Sequence, residues 1–151
     1  SKIVVNKEIV LVSSNKNTFL IDQKTGFILK KFDFSSSVPP IINNNLIFLV
    51  TKGGYLVVID INKYEILYSK NISLEVSKFL ETKEKKLFFK NIFLLENNIF
   101  IFLKNSFVLE FKSTGELINV KKLPSKINST PISINSKVIY LNKSNKLVII
   151  N

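Results

Sequence analysis

The segment FLIDQKTGFILKKF, Phe19 to Phe32, returns as VVIDINKYEILYSK from Val57 to Lys70 and as VLEFKSTGELINVKK from Val108. Asp22 and Asp60 are 38 residues apart, as are Gly26 and Tyr64. Each copy closes a longer unit of four short apolar runs. The first runs are SKIVV, VPPII, NIFLL and TPISI. The second runs are Ile9–Val12, Leu46–Val50, Ile99–Leu103 and Val138–Leu141. The third are Thr18–Ile21, Tyr55–Ile59, Phe107–Phe111 and Leu147–Ile150. Fourth runs occur in the first three copies only: Phe27–Phe32, Glu65–Ile72 and Glu116–Leu123. Asn-rich turns beginning at Asn6, Asn43, Glu96 and Asn135 separate the first and second runs.

Runs this short, rich in Ile, Val, Leu, Phe and Tyr and bounded by Asn, Gly, Lys and Ser, read as strands joined by hairpins. They are too short and too often interrupted for helices. Four strands recurring at about 40 residues is the period of a propeller blade. The sequence therefore predicts an all-β chain, a single partial β-propeller over 1–151. Its blades fall at about 1–34, 35–72, 86–124 and 125–151, and the last lacks a fourth strand. LIFLV and IFIFL do not alternate, which predicts inner strands covered on both faces. The fourth runs are mixed, as outer strands near water should be.

One stretch breaks the period. Gly26 and Tyr64 are 38 residues apart, but Tyr64 and Gly115 are 51 apart. The surplus lies in an insertion at 73–90. There Val76, Phe79, Leu80 and Leu87 recur at helical spacing between charges. The pattern predicts a short amphipathic helix around Leu74–Lys85 with Ser73 as its N-cap, then a strand entering LFFKNIFLL. Its apolar face either plugs the propeller or docks a partner, with Val76, Phe79, Leu80 and Leu87 as the contact residues.

The missing residue types limit the chemistry. There is no His, Cys, Met, Trp or Arg among the 151 residues. This removes the Ser-His triad, the cysteine nucleophile, the usual zinc sites and thiol redox chemistry. No acidic loop has the ligand density of a calcium site. The carboxylates left for an enzymatic reading are Asp22 with Asp60, and Glu81 with Glu84. Asp22 and Asp60 recur in register before a turn, which points to hydrogen bonds with turn amides instead. The expectation is a non-enzyme without cofactor or metal.

The net charge of +11 invites an anionic partner. The lysines are scattered, however, and the bidentate contacts that nucleic-acid sites draw from Arg are missing. Compositional drift in an AT-rich genome accounts for the charge without nucleic acid. No apolar run approaches the roughly 20 residues of a membrane helix. The chain starts at Ser1 with no signal-peptide pattern, so the expectation is a mature protein or a piece of a longer one.

The repeat resembles the quinoprotein-like (PQQ-like) β-propeller family, whose blades end in Ala-x-Asp-x-x-x-Gly-x-x-x-Trp. Asp22, Thr25 and Gly26 match that signature. Asp60 matches it with Tyr64 in the Gly place, and Gly115 matches it with Phe111 in the Asp place. The Trp positions hold Lys30, Tyr68 and Asn119. The resemblance implies a propeller. The absent Trp, Cys and Arg imply that it binds no quinone and is not one of the family's dehydrogenases.

The Lys/Asn/Ile-rich style of NNIFIFLKNSFVLEF and KKLPSKINSTPI is most similar to the non-catalytic branch found in AT-rich α-proteobacteria. That branch is the propeller lipoprotein of outer-membrane β-barrel assembly. The likeness implies a periplasmic scaffold, peripheral to the outer membrane, that binds the barrel-inserting subunit and pairs with incoming strands at sheet edges. A partial propeller also has open blades. Self-association through them, two halves completing one ring, is a further expectation.

Overall fold

A computed structural model describes residues 2–134 and 137–150. Asn135 and Ser136, in the first turn of the fourth repeat, lie outside the described residues, as do Ser1 and Asn151. Among the described residues, fifteen strands and one helix form in the order the repeat predicts.

The first sheet is β1 (Lys2–Val5), β2 (Ile9–Ser13), β3 (Thr18–Asp22) and β4 (Ile28–Phe32). The second is β5 (Ile41–Asn43), β6 (Leu46–Val50), β7 (Tyr55–Asp60) and β8 (Glu65–Asn71). Helix α1 (Ile72–Phe79) follows. The third sheet is β9 (Phe89–Leu95), β10 (Asn98–Leu103), β11 (Phe107–Lys112) and β12 (Leu117–Lys122). The last has three strands, β13 (Ile132–Ile134), β14 (Lys137–Leu141) and β15 (Leu147–Ile150). Within every sheet neighbours in space are neighbours in sequence, and all described pairs are antiparallel.

The turns explain why the repeat is written as it is. The turn between third and fourth strands needs a left-handed residue in all three copies: Gly26 at φ 75°, Tyr64 at φ 54° and Gly115 at φ 87°. A register shift follows at the equivalent place in each, beside Leu20/Ile21, Val58/Ile59 and Glu110/Phe111. The turn between second and third strands takes Gly54, Ser106 and Asn145 at positive φ. Glu96 and Asn97, both left-handed, close the β9–β10 hairpin, the two-residue geometry that suits the strand twist.

The repeat predicts one domain over 1–151, and packing divides that span into two compact units, Ser1–Glu75 and Val76–Asn151. In the first unit Ile9, Leu11 and Leu20 of the first sheet meet Ile47, Leu49, Val57 and Ile59 of the second. In the second unit Phe102 and Val108 of the third sheet meet Val138 and Tyr140 of the last. The inner strands are buried on both faces, as LIFLV and IFIFL imply: Ile47 through Val50, and Ile101 through Leu103. The fourth strands β4, β8 and β12 are largely exposed.

Buried polar atoms of the first unit are paired. Thr18 donates its hydroxyl to Ser13 Oγ (3.2 Å) and to the Phe34 carbonyl (2.9 Å). Ser36 N–H donates to Ser13 Oγ at 2.7 Å. These bonds tie the end of the first sheet to the segment leading into the second.

The helix departs from its expected bounds. It covers Ile72–Phe79 rather than 74–85, and Ser73 lies inside it. The cap is Asn71, whose Oδ1 accepts from Leu74 N–H at 3.1 Å. Asn71 ends β8, so the strand hands over directly to the helix. The far end closes because Glu81 turns left-handed at φ 51°. Thr82 N–H then donates to the Ser77 carbonyl (2.9 Å) and Glu81 N–H to the Lys78 carbonyl (3.3 Å), the paired bonds of a Schellman closure. Residues 83–88 have no regular structure, and the strand expected to enter at LFF starts at Phe89.

Candidate interaction surface

The recurring acidic residues serve their turns. Asp22 Oδ1 accepts from Lys24 N–H (3.0 Å), Thr25 N–H (2.7 Å) and the Thr25 hydroxyl (2.7 Å). The Thr25 hydroxyl, then the Thr25 and Lys24 amides, hold its carboxyl below the ordinary aspartate value. Asp60 Oδ1 accepts from Asn62 N–H (2.8 Å) and Lys63 N–H (3.3 Å). Gly26 and Gly115 supply the left-handed step of their turns. Glu81 closes the helix with its backbone, and Glu84 lies exposed in the stretch after it. Among the described residues no cluster of three or more acidic side chains could hold a metal ion.

The helix segment presents apolar side chains to solvent. Phe79 and Leu80 are each 46% exposed, and Phe88 is 56% exposed. Val76 and Leu87 are half-buried. Of the four contact residues named from the sequence, Phe79 and Leu80 are therefore the accessible pair. They sit on the last turn, held there by the Schellman bonds. Phe88 was missed, because its place in LFFKN reads as part of a strand. Lys86 Nζ lies 5.6 Å from its ring centroid, near enough for a cation–π contact.

A groove of about 470 Å³ opens within the first unit. Tyr55, Val57 and Ile66 give it an apolar floor, and Lys16 and Lys52 stand at its rim without a lining carboxylate. Lys52 Nζ donates to the Asn15 carbonyl at 3.0 Å, bridging the turns of two sheets. The edge strand β8 lines one side through Ile66 and Ser69. The sequence gives no sign of this groove, since its walls come from residues as far apart as 15 and 69. No described helix is long and apolar enough to cross a membrane.

No family model matches this sequence, and no curated protein sequence matches it. The fold does have counterparts among solved structures. The computationally designed Ika4 protein matches at a TM-score of 0.70 with 14% identity, over 98% of this chain and 88% of its own. The designed Ika8 protein matches at 0.70 with 13% identity, over 98% of this chain and 44% of its own. BamB from Moraxella catarrhalis matches at 0.58 with 10% identity, over 98% of this chain and 56% of its own. The chain is an all-β partial propeller. It spans about half the length of the Ika8 and BamB chains.

Proposed function

We propose that this chain is a non-catalytic protein-interaction scaffold, a BamB-like part of outer-membrane protein assembly. It works in the periplasm, at the outer membrane, and its partner is the barrel-inserting subunit. The observation that carries the reading is the solvent-facing pair Phe79 and Leu80 on an ordered helix end. Large apolar side chains held in place at a surface lose little freedom when a partner covers them. The likeness of the fold to BamB and the resemblance of the blade signature support the family of the role. Asp22 and Asp60, bound into their own turns, offer no acid–base pair to an enzymatic alternative.

The test is recovery of partners from an envelope fraction, using this protein as bait. The wild-type bait should enrich the barrel-inserting subunit, and the double variant Phe79→Asp, Leu80→Asp should lose most of it. Enrichment unaffected by the double variant would remove the contact assignment. Absence of that subunit from the wild-type recovery would remove the role.

A second reading rests on the groove. Its two rim lysines and apolar floor suit an acidic extended segment that adds to the free edge of β8. Binding of such a peptide should weaken steeply with salt.

A further inference from the structure

The lysines that lie scattered along the sequence are sorted by the fold. In the second unit the turns joining second to third strands hold Lys104 (β10–β11) and Lys143 with Lys146 (β14–β15), and neither turn holds a carboxylate. The acidic residues of the third sheet stand elsewhere. Glu96 is in the β9–β10 turn, and Glu116, in the β11–β12 turn, pairs with Lys112 at 2.7 Å. Glu110 lies within β11 and accepts from Asn98 Nδ2 at 2.8 Å. Antiparallel pairing puts the β9–β10 and β11–β12 turns at the opposite end of the sheet from Lys104. The chain enters β9 and leaves β12 at the Lys104 end, which brings the linkers there too. Lys104 N–H donates to the Phe88 carbonyl at 2.8 Å, and Lys143 N–H to the Lys126 carbonyl at 3.1 Å. Lys86, Phe88, Lys104 and Lys126 line one pocket of about 290 Å³ with Asn105 and no carboxylate. The stretch leading in carries Glu81 and Glu84, offset by Lys83 and Lys85. Lys86, Lys104, Lys126 and Lys143 are all exposed.

We infer that this end of the second unit lies on an anionic phospholipid surface. Two features select that partner. The first is charge. Ammonium groups gathered at one end, with no carboxylate in the pocket they line, are drawn to anionic headgroups. Compositional drift would add lysine, but it would not sort the acidic residues of the third sheet away from this end. The second feature is Phe88. It is 56% exposed, with Lys86 Nζ 5.6 Å from its ring centroid. A bilayer interface takes both groups: the ring enters the acyl boundary while the ammonium groups stay among the headgroups. Free phosphate would leave the ring in water. Nucleic acid would draw on the bidentate contacts of Arg, and the chain has none. The inference goes beyond the proposed protein contact. It uses neither Phe79 nor Leu80, and vesicle binding reads the same whether or not the barrel-inserting subunit is recovered.

Cosedimentation with vesicles of phosphatidylglycerol and phosphatidylcholine, against phosphatidylcholine alone, tests the inference at about 0.1 M salt. The protein should bind the anionic vesicles only. The triple variant Lys86→Gln, Lys104→Gln, Lys126→Gln should bind them about a hundredfold more weakly, since each lysine near a charged surface is worth roughly fivefold. Phe88→Ser should weaken binding roughly tenfold with the charge untouched. A control with the same loss of charge, Lys63→Gln, Lys112→Gln, Lys137→Gln, alters exposed lysines at other turns. It should stay within about threefold of the wild type, because charges beyond the screening length count little. All these positions are exposed, and unchanged circular dichroism and melting would confirm that each variant folds. Failure of the wild type to bind anionic vesicles, equal loss in the control triple, or an unaffected Phe88→Ser variant would each overturn the inference. So would displacement from the vesicles by inorganic phosphate at constant ionic strength, or binding of a single-stranded oligonucleotide in place of the vesicles.

Discussion

Tyr64 takes the backbone position of Gly26 one repeat later: both residues are left-handed, at φ 54° and 75°. The turn demands this conformation whichever residue stands there. Gly26 meets the demand at no steric cost. Tyr64 meets it while its side chain packs against the core of the first unit, which offsets the strain.

Gly26→Ala isolates the backbone term. A Cβ at Gly26 would meet no atom within 4 Å, so any loss comes from φ alone. The substitution should destabilise the protein by about 1 kcal/mol, measured as a lower denaturant midpoint at constant slope. No change would mean that the turn relaxes out of the left-handed region.

Ser13→Ala removes the acceptor of two buried bonds, from Ser36 N–H and the Thr18 hydroxyl. The Thr18 hydroxyl keeps the Phe34 carbonyl, but the Ser36 amide is stranded. A loss of about 1–3 kcal/mol is expected, with faster hydrogen exchange at the Ser36 amide.

Glu81→Gly should stabilise the helix end. Glu81 pays for its left-handed φ, and Gly is the preferred residue at that position of a Schellman closure. The gain expected is about 0.5–1 kcal/mol, read as a raised denaturant midpoint and slower exchange of the Thr82 amide.

The turns and the helix show where sequence reading reaches and where it stops. Strand order was legible because each run is short, β-branched and closed by a residue that tolerates positive φ. Helix bounds were not, because Asn71 reads as the end of a strand and Glu81 carries no sign of its left-handed backbone. Ser73 reads as a cap only for a helix that starts two residues late. Open blades are expected of a partial propeller, but which side chains lie on the uncovered faces is not legible. IVLV in β2 is as continuously apolar as LIFLV in β6, yet Val10 and Val12 are uncovered while Ile47 through Val50 are buried. Whether the second face is covered depends on the neighbouring sheet, which no local pattern records. Phe79 and Leu80 were found by helical spacing; the groove at Tyr55 and Lys52 was not, since it exists only once strands are paired.

Burial pushes the Tyr68 phenol from 10 up to about 12. Below pH 10 both folded and unfolded chains hold the proton, and the shift leaves stability unchanged. Between pH 10 and 12 the unfolded chain loses it first, so stability falls across that window and levels off above it. Melting temperature of the wild type minus that of Tyr68→Phe should therefore decline over this range, the lysine titrations cancelling in the difference. A flat difference would show that the phenol is not held by burial.

In the proposed role, the helix end at Phe79 is the face a partner covers. Site-specific photo-crosslinking in cells tests it most directly, with a photoreactive phenylalanine at Phe79 and, as control, at Phe27, which is 73% exposed in a turn of the first sheet. An adduct containing the barrel-inserting subunit should form from position 79 and not from position 27. No adduct at 79, or equal adducts at both positions, would contradict the claim.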